Sequence, residues 1–130
     1  MTKKDQNELY MEVKALDEQI KNMNAHLENI DEQIAELNSN KIVLNKFSDL
    51  KRDDELKVPL TSGIYINTVL KDTKKLLVNV GAGITVEKTP EQVIKILDSQ
   101  LTELVKYRNQ VVNQMKALID RIEEIQKEFE

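Results

Sequence analysis

The sequence predicts an α+β fold in which two long helices pair as an antiparallel coiled coil and β-hairpins are inserted between them. Three observations predict it. Apolar residues recur at heptad spacing near both ends of the chain, branched and aromatic residues cluster in the middle, and all three glycines lie in that middle part. The predicted ranges within one domain are 1–50 for the N-terminal helix, 51–89 for a β-hairpin oligomerisation segment and 90–130 for the C-terminal helix.

The first helix is predicted by a seam of apolar residues whose spacing alternates between four and three. An average step of 3.5 residues keeps every member on one side of an α-helix, which is the pattern of a coiled coil. No proline or glycine interrupts the helix before Pro59. The seam consists of Leu9, Val13, Leu16, Ile20, Met23, Leu27, Ile30, Ile34 and Leu37.

The second helix is predicted to start with a capping box. Thr89 is the N-cap, Pro90 occupies the first helical position and Gln92 closes the box. Val105, Val112 and Ile119 form a second apolar stripe beside the seam, which predicts packing against a third element or a neighbouring subunit. The seam itself contains Ile94, Leu97, Leu101, Leu104, Arg108, Val111, Met115, Leu118, Ile122, Ile125 and Phe129.

The two seams match when the helices run antiparallel and paired residue numbers sum to 138. In that register Leu9 lies opposite Phe129, and only two layers contain a charge: Ile30 with Arg108, and Lys41 with Leu97. We expect both basic side chains to lay their stems on the seam and reach water. Registers shifted by one heptad match as well, so the pairing direction is better determined than the sum.

The middle segment is predicted to form three or four short strands in one or two hairpins. The predicted strands cover 64–66, 69–70, 76–80 and 84–86, with Asn67-Thr68 dividing the first of them. Turns are predicted at 71–74 and at Gly81-Ala82-Gly83. So short a segment cannot bury a core alone, so we expect its strands to complete a sheet with other chains. The predicted oligomer interface is Ile64, Tyr65, Ile66, Leu76, Val78, Val80, Ile84 and Val86.

Composition and motifs argue against an enzyme. A chain with no Cys and a single histidine, His26, has few ligands for a metal, and no cofactor is predicted. His26 is predicted to be a solvated surface residue. Asp53-Asp54-Glu55 is interpreted as an acidic linker because its spacing does not match a calcium loop. Val80-Gly81-Ala82-Gly83 lacks the Lys-Ser/Thr of a phosphate loop and is interpreted as a hairpin turn.

The charge balance argues against nucleic acid and membrane partners. The formal net charge is −4, so the chain has no global electrostatic attraction to polyanions. No apolar run reaches the roughly 18 residues needed to span a bilayer, and no apolar signal segment follows the first lysines. We therefore expect a cytoplasmic protein without nucleic-acid or membrane partners.

The middle residues resemble the alpha class of prefoldin subunits, and are most similar to the subunit 5 type. The resemblance implies a prefoldin-like fold and a hetero-hexamer with beta-class prefoldin subunits, in which hairpins form a shared β-barrel and six coiled coils extend from it. It also implies a co-chaperone without ATPase activity that holds unfolded clients at the coiled-coil tips, notably actin and tubulin in eukaryotes, for transfer to a cytosolic group II chaperonin. The resemblance rests on Val58-Pro59-Leu60-Thr61-Ser62, Tyr65, Lys71-Asp72, the run from Leu77 to Gly83, and Val86-Glu87-Lys88-Thr89.

The open end of the coiled coil is the predicted client-binding site. A pair of helices is narrow, so apolar residues near its end stay partly wet, and fraying exposes them further. Adaptable apolar side chains suit contact with varied unfolded chains. The alternative is a structural or adaptor coiled coil in which these residues only close the seam. The predicted client-binding residues are Leu9, Tyr10, Met11, Val13, Ile122, Ile125 and Phe129.

Overall fold

The computed structural model describes residues 2–129 and contains two long helices with two β-hairpins between them. The elements in chain order are α1 (Lys3–Phe47), β1 (Glu55–Thr61), β2 (Ile64–Val69), β3 (Leu76–Gly81), β4 (Ile84–Lys88) and α2 (Pro90–Glu128). This order confirms the predicted α+β fold. Met1 and Glu130, at the ends of the predicted helix ranges, lie outside the described residues.

The chain divides into two compact units. The first contains the described residues up to Ala35 together with those from Leu101 onwards, and the second is Glu36–Gln100. The first unit therefore contains only paired helix, while the second contains both hairpins and the adjoining helix ends. The assignment of the whole chain to one domain stays a prediction.

Both helices begin with a side-chain cap. The backbone N–H of Thr89 donates to Gln92 Oε1 at 3.0 Å, and the N–H of Gln92 donates to Thr89 Oγ1 at 3.2 Å. This confirms the capping box predicted for α2. At the start of α1, the N–H of Asp5 donates to Thr2 Oγ1 at 3.2 Å, and Asp5 satisfies the preference for an acid in the first turn.

The predicted seam is the buried face of both helices. Ile30, Val111 and Ile125 are the buried apolar residues among those described, at 2%, 5% and 0% exposure. The other apolar seam residues are partly buried, apart from Phe129, which is exposed. Partial burial is what two helices without a third partner can give, because each seam residue is covered from one side only.

Contacts between the helices fit the register in which paired numbers sum to 138. In the first unit Glu12 contacts Arg121, and His26 contacts Tyr107. All four of these residues directly precede a seam position, and both pairs sum to 133, as expected for one flank of an antiparallel pair in that register. A shift of one heptad would move the partners about 10 Å apart along the helix axis. The contacts therefore favour this register over the shifted alternatives.

The two seam cations are paired with carboxylates rather than with water alone. Arg108 Nε donates to Asp31 Oδ1 at 2.6 Å in the first unit, and the hydrogen bond and charge of Asp31 raise the pKa of Arg108. In the second unit Lys41 Nζ lies 2.5 Å from Asp98 Oδ1. Each aspartate directly follows the apolar residue that shares a layer with the cation, so each cation reaches one residue beyond its own layer.

Each hairpin forms its own two-stranded antiparallel sheet. At the end away from its turn, the first hairpin pairs Glu55 with Val69 and the second pairs Leu76 with Lys88. The turns are Ser62-Gly63 and Ala82-Gly83, where Gly63 and Gly83 have φ of +77° and +74°. That left-handed conformation favours glycine, so both turns depend on the residue type found there.

Two details of the predicted β segment were wrong. The strand β1 was missed, because Glu55 was assigned to a linker although Leu56, Val58 and Leu60 alternate with other residues as in a strand. Asn67-Thr68 does not divide β2, since the Thr68 hydroxyl donates to the Leu56 carbonyl at 3.0 Å and the strand continues. The predicted turn at 71–74 lies in the connection between the two hairpins, where Asp72 Oδ1 accepts the N–H of Lys74 at 2.7 Å.

Candidate functional site

Three of the seven predicted client-binding side chains are exposed. Tyr10 and Met11, in the third turn of α1, are 66% and 65% exposed, and Phe129 is 47% exposed. Tyr10 and Met11 directly follow the seam residue Leu9, so they project from the flank of the helix instead of into the pair. Large apolar side chains this open to water form a surface that another polypeptide can cover.

The other four belong to the seam. Leu9, Val13 and Ile122 are partly buried, and Ile125 is fully buried. Ile125 lies in the layer of Val13 and offers no surface to a client in this conformation, so its part in client binding stays a prediction that depends on fraying of the helix ends. The burial of Ile125 shows that the two helices remain paired almost to the end of the coiled coil that carries both chain termini.

An ion pair lies on the flank of the coiled coil beside these residues. Arg121 donates to both carboxylate oxygens of Glu12, through Nε at 2.8 Å and through Nη2 at 3.2 Å, and Nη1 lies 3.3 Å from Glu124. The hydrogen bond from Arg121 lowers the pKa of Glu12, and the same contact raises the pKa of Arg121. Exposed pairs contribute little stability, but the two-pronged geometry specifies which residues face each other.

The predicted oligomer-interface residues are all in the hairpins and mostly exposed. Ile64, Tyr65, Ile66, Val80 and Ile84 are exposed, while Leu76, Val78 and Val86 are partly buried. Sequence reasoning missed four further exposed apolar residues of the two hairpins. Two of them lie in β1 and were missed because the strand β1 itself was not predicted. Those four are Val58, Leu60, Val69 and Leu77. Two separate hairpins with so much exposed apolar surface lack a core of their own.

The lone histidine is an exposed surface residue, as predicted, and it also contacts the other helix. His26 Nε2 lies 2.8 Å from the hydroxyl of Tyr107, and the two rings meet edge to face with centroids 5.4 Å apart. Both side chains are exposed, so the pair forms a contact on the outside of the two helices. The register predicts this pair, because both residues occupy the same flank.

Within residues 2–129 there is no group of three or more His, Cys, Asp or Glu side chains placed to hold a metal ion. The hairpin interpretation of Gly81-Ala82-Gly83 is confirmed, since the strand β4 and not a helix follows it. Across the same described residues, no helix carries a stretch apolar enough to cross a membrane.

On the second apolar stripe of α2, Val105 and Ile119 are exposed, so packing against a neighbouring subunit stays a prediction.

Paired helices joined by two exposed hairpins define the class of helix–β-hairpins–helix coiled-coil proteins. The family model for the prefoldin subunit matches residues 16–130. The chain therefore belongs to the prefoldin family, whose members are co-chaperones and not enzymes. This membership confirms the family resemblance inferred from the middle residues.

Two curated relatives show where the sequence similarity lies. The prefoldin subunit alpha of Thermofilum pendens is 31% identical over 93 residues, covering 72% of this chain and 72% of the relative. The prefoldin subunit alpha of Methanocorpusculum labreanum is 38% identical over 89 residues, covering 63% of this chain and 60% of the relative. Similarity to alpha subunits agrees with the predicted class, while the likeness to subunit 5 stays a prediction.

A solved structure shows the same fold. The chain superposes on filamentous PFD from Methanocaldococcus jannaschii with a TM-score of 0.78, covering 91% of this chain and 98% of that one. Sequence identity is 24%, so this likeness supports the fold and not the details of function.

Proposed function

We propose that this chain is a subunit of a prefoldin hexamer that captures unfolded or nascent proteins at the end of its coiled coil without ATP. The partners would be beta-class subunits, and the captured clients, such as actin and tubulin in a eukaryote, would pass to a group II chaperonin in the cytoplasm. The observation that carries the proposal is the exposure of Tyr10, Met11 and Phe129 near the open end.

Client capture at this end follows from ordinary apolar burial. Covering exposed side chains contributes roughly 25 cal/mol per Å² removed from water, so three large side chains give a weak, reversible contact. Several coiled coils in one complex would combine such contacts into useful affinity, because after the first contact the others bind the same chain at high effective concentration. The flexible thioether of Met11 adapts to clients of different shape.

Assembly through the hairpins is the second part of the proposal. An isolated two-stranded hairpin is marginally stable in water, and its edges present unpaired backbone groups. Burying Ile64, Tyr65, Ile66 and their neighbours against other subunits would satisfy those edges and remove apolar surface from water. This supports a shared β structure formed by several chains.

The alternative is a structural or adaptor subunit that assembles but holds no client. One observation favours it. Ile125 is fully buried, so the seam remains closed near its end and much of the apolar surface there is already covered. On this account the residues that remain exposed would be incidental, and replacing them would not change client protection.

An aggregation assay distinguishes the two functions. The assembled complex is mixed with a chemically denatured protein as it is diluted from denaturant, and light scattering is followed without ATP. The variant replaces Tyr10, Met11 and Phe129 with Ser, and we expect it to assemble normally while protecting the client much less than wild type. Equal protection by variant and wild type would support the adaptor function instead.

A matched control separates the site from general apolarity. Replacing Ile42, Val43 and Ile96 with Ser also removes three exposed apolar side chains, but from helix positions in the second unit. We expect this control to protect clients as wild type does. An equal loss in the control and the tip variant would mean that client contact is spread along the helices.

A further inference from the structure

A basic cleft lies where the connection between α1 and β1 meets the connection between β2 and β3. It encloses about 460 Å³, is open to solvent, and is lined by Arg52, Lys71, Asp72, Thr73 and Lys74. None of these residues belongs to the predicted client-binding or oligomer-interface sets. The cleft is therefore a feature that the proposed function does not use.

Backbone hydrogen bonds hold the two connecting segments together. The N–H of Asp53 donates to the carbonyl of Leu70, and the N–H of Leu70 donates to the carbonyl of Asp54, both at 2.8 Å. These bonds continue the β1–β2 ladder beyond Glu55 and Val69, and Asp53 adopts φ of +73° to make the turn. The backbone that carries the cleft is thus built into the hairpin.

Two carboxylates of these connecting segments accept hydrogen bonds from backbone groups. Asp54 Oδ2 accepts the N–H of Lys51 at 2.7 Å, and Asp72 Oδ1 accepts the N–H of Lys74 at 2.7 Å. Among the described residues, no ion pair involves Arg52, Lys71 or Lys74. Three cations on one face therefore retain their capacity to bind an external anion.

The charge distribution along the chain concentrates this attraction. Residues 1–50 carry six basic and ten acidic side chains, and residues 90–130 carry six and eight. Residues 51–89 carry seven basic and five acidic side chains, so the β segment is the basic part of an acidic chain. The helices repel a negatively charged partner while the β segment attracts it, which directs the partner to the cleft.

We propose that this cleft binds an acidic segment of a partner polypeptide through Arg52, Lys71 and Lys74. The cations sit on two adjacent segments of an open cleft, an arrangement that suits an extended chain with several carboxylates. Arg52 can hold one carboxylate through two parallel hydrogen bonds, and the lysines act as mobile point charges beside it. Such an interaction is selective for charge and weakens as salt is added.

Fluorescence anisotropy tests the proposal directly. A labelled oligoglutamate peptide is titrated with the full-length chain, alone and in the assembled complex, at an ionic strength of about 0.05 M. Replacing Arg52, Lys71 and Lys74 together with Gln should weaken binding about tenfold, since three exposed charge contacts of ordinary strength combine to that effect. The three side chains are exposed, and unchanged circular dichroism will show that the variant is folded.

A charge-matched control decides whether the cleft or the net charge is responsible. Replacing Lys46, Lys57 and Lys95 with Gln removes the same charge from exposed positions of the same unit, and should change the affinity less than about threefold. Equal weakening in both variants, or no binding by wild type, overturns the proposal. Stronger binding of inorganic polyphosphate than of oligoglutamate at equal charge would overturn the assignment to a peptide ligand.

Discussion

Removing one buried seam side chain tests whether the coiled coil is held together where the structure places its core. Ile30→Ala deletes three carbon atoms from a side chain that is 2% exposed. At about 0.8 kcal/mol per buried methylene, the transfer loss is about 2.4 kcal/mol, and the cavity left behind adds to it. Alanine regains a few tenths through its better helix propensity. We expect the free energy of unfolding to fall by about 2–4 kcal/mol.

The same helix provides a matched control. Ile42→Ala makes the same chemical change at a side chain that is 56% exposed, and should alter stability by no more than about 0.5 kcal/mol. Urea unfolding followed by circular dichroism, at one protein concentration because assembly adds stability, gives both values. Equal costs for the two variants would refute the assignment of the core to Ile30 and its layer.

Three further predictions address assembly, acid stability and capping. Replacing Val78 and Val80 with Asp should preserve helical content but abolish the complex, and a full-size complex by light scattering would reject the hairpin interface. Arg121 lowers the pKa of Glu12. The stability that this ion pair contributes is therefore present above the ordinary pKa of a glutamate, about 4.3, and is lost as pH falls through the lowered pKa of Glu12. The melting-temperature difference between wild type and Glu12→Gln should therefore vanish in acid, and a constant difference would oppose this. Thr89→Ala should cost about 1 kcal/mol in urea melts, and no cost would contradict the observed capping box.

The helices could be predicted well because their physical signal is local and periodic. The residues from Leu9 to Leu37 that form the seam lie on one face only if the backbone is helical, and in the structure each of them is buried or partly buried. The start of α2 could be predicted equally well, since Thr89, Pro90 and Gln92 act on neighbouring backbone groups. Neither inference needs information from a distant part of the chain.

The helix register could not be chosen from the seams alone. Apolar layers match equally well after a shift of one heptad, so the distinguishing information lies on the flanks. The pairs of Glu12 with Arg121 and His26 with Tyr107 supply it. Both could have been found by asking which registers bring complementary side chains together beside the seam.

The strand β1 was missed because two local signals conflicted. Its alternation through Leu56 and Val58 predicts a strand, but Asp53-Asp54-Glu55 and Pro59 are typical of a connection. Pairing with β2 decides the outcome, and pairing is a tertiary effect. The seam pattern places Ile125 in the core, but how completely it is buried depends on how far the helices stay paired toward their ends.

The most direct test of client capture uses the three tyrosines of the chain as reporters. Each is replaced in turn by a photo-crosslinking phenylalanine analogue: Tyr10 near the open end, Tyr65 in β2 and Tyr107 midway along α2, all of them exposed. The assembled complex is then illuminated with an unfolded client in the absence of ATP. We predict client adducts at Tyr10, subunit-to-subunit adducts at Tyr65, and few client adducts at Tyr107. Client adducts as abundant at Tyr65 or Tyr107 as at Tyr10 would contradict the assignment of client capture to the end of the coiled coil.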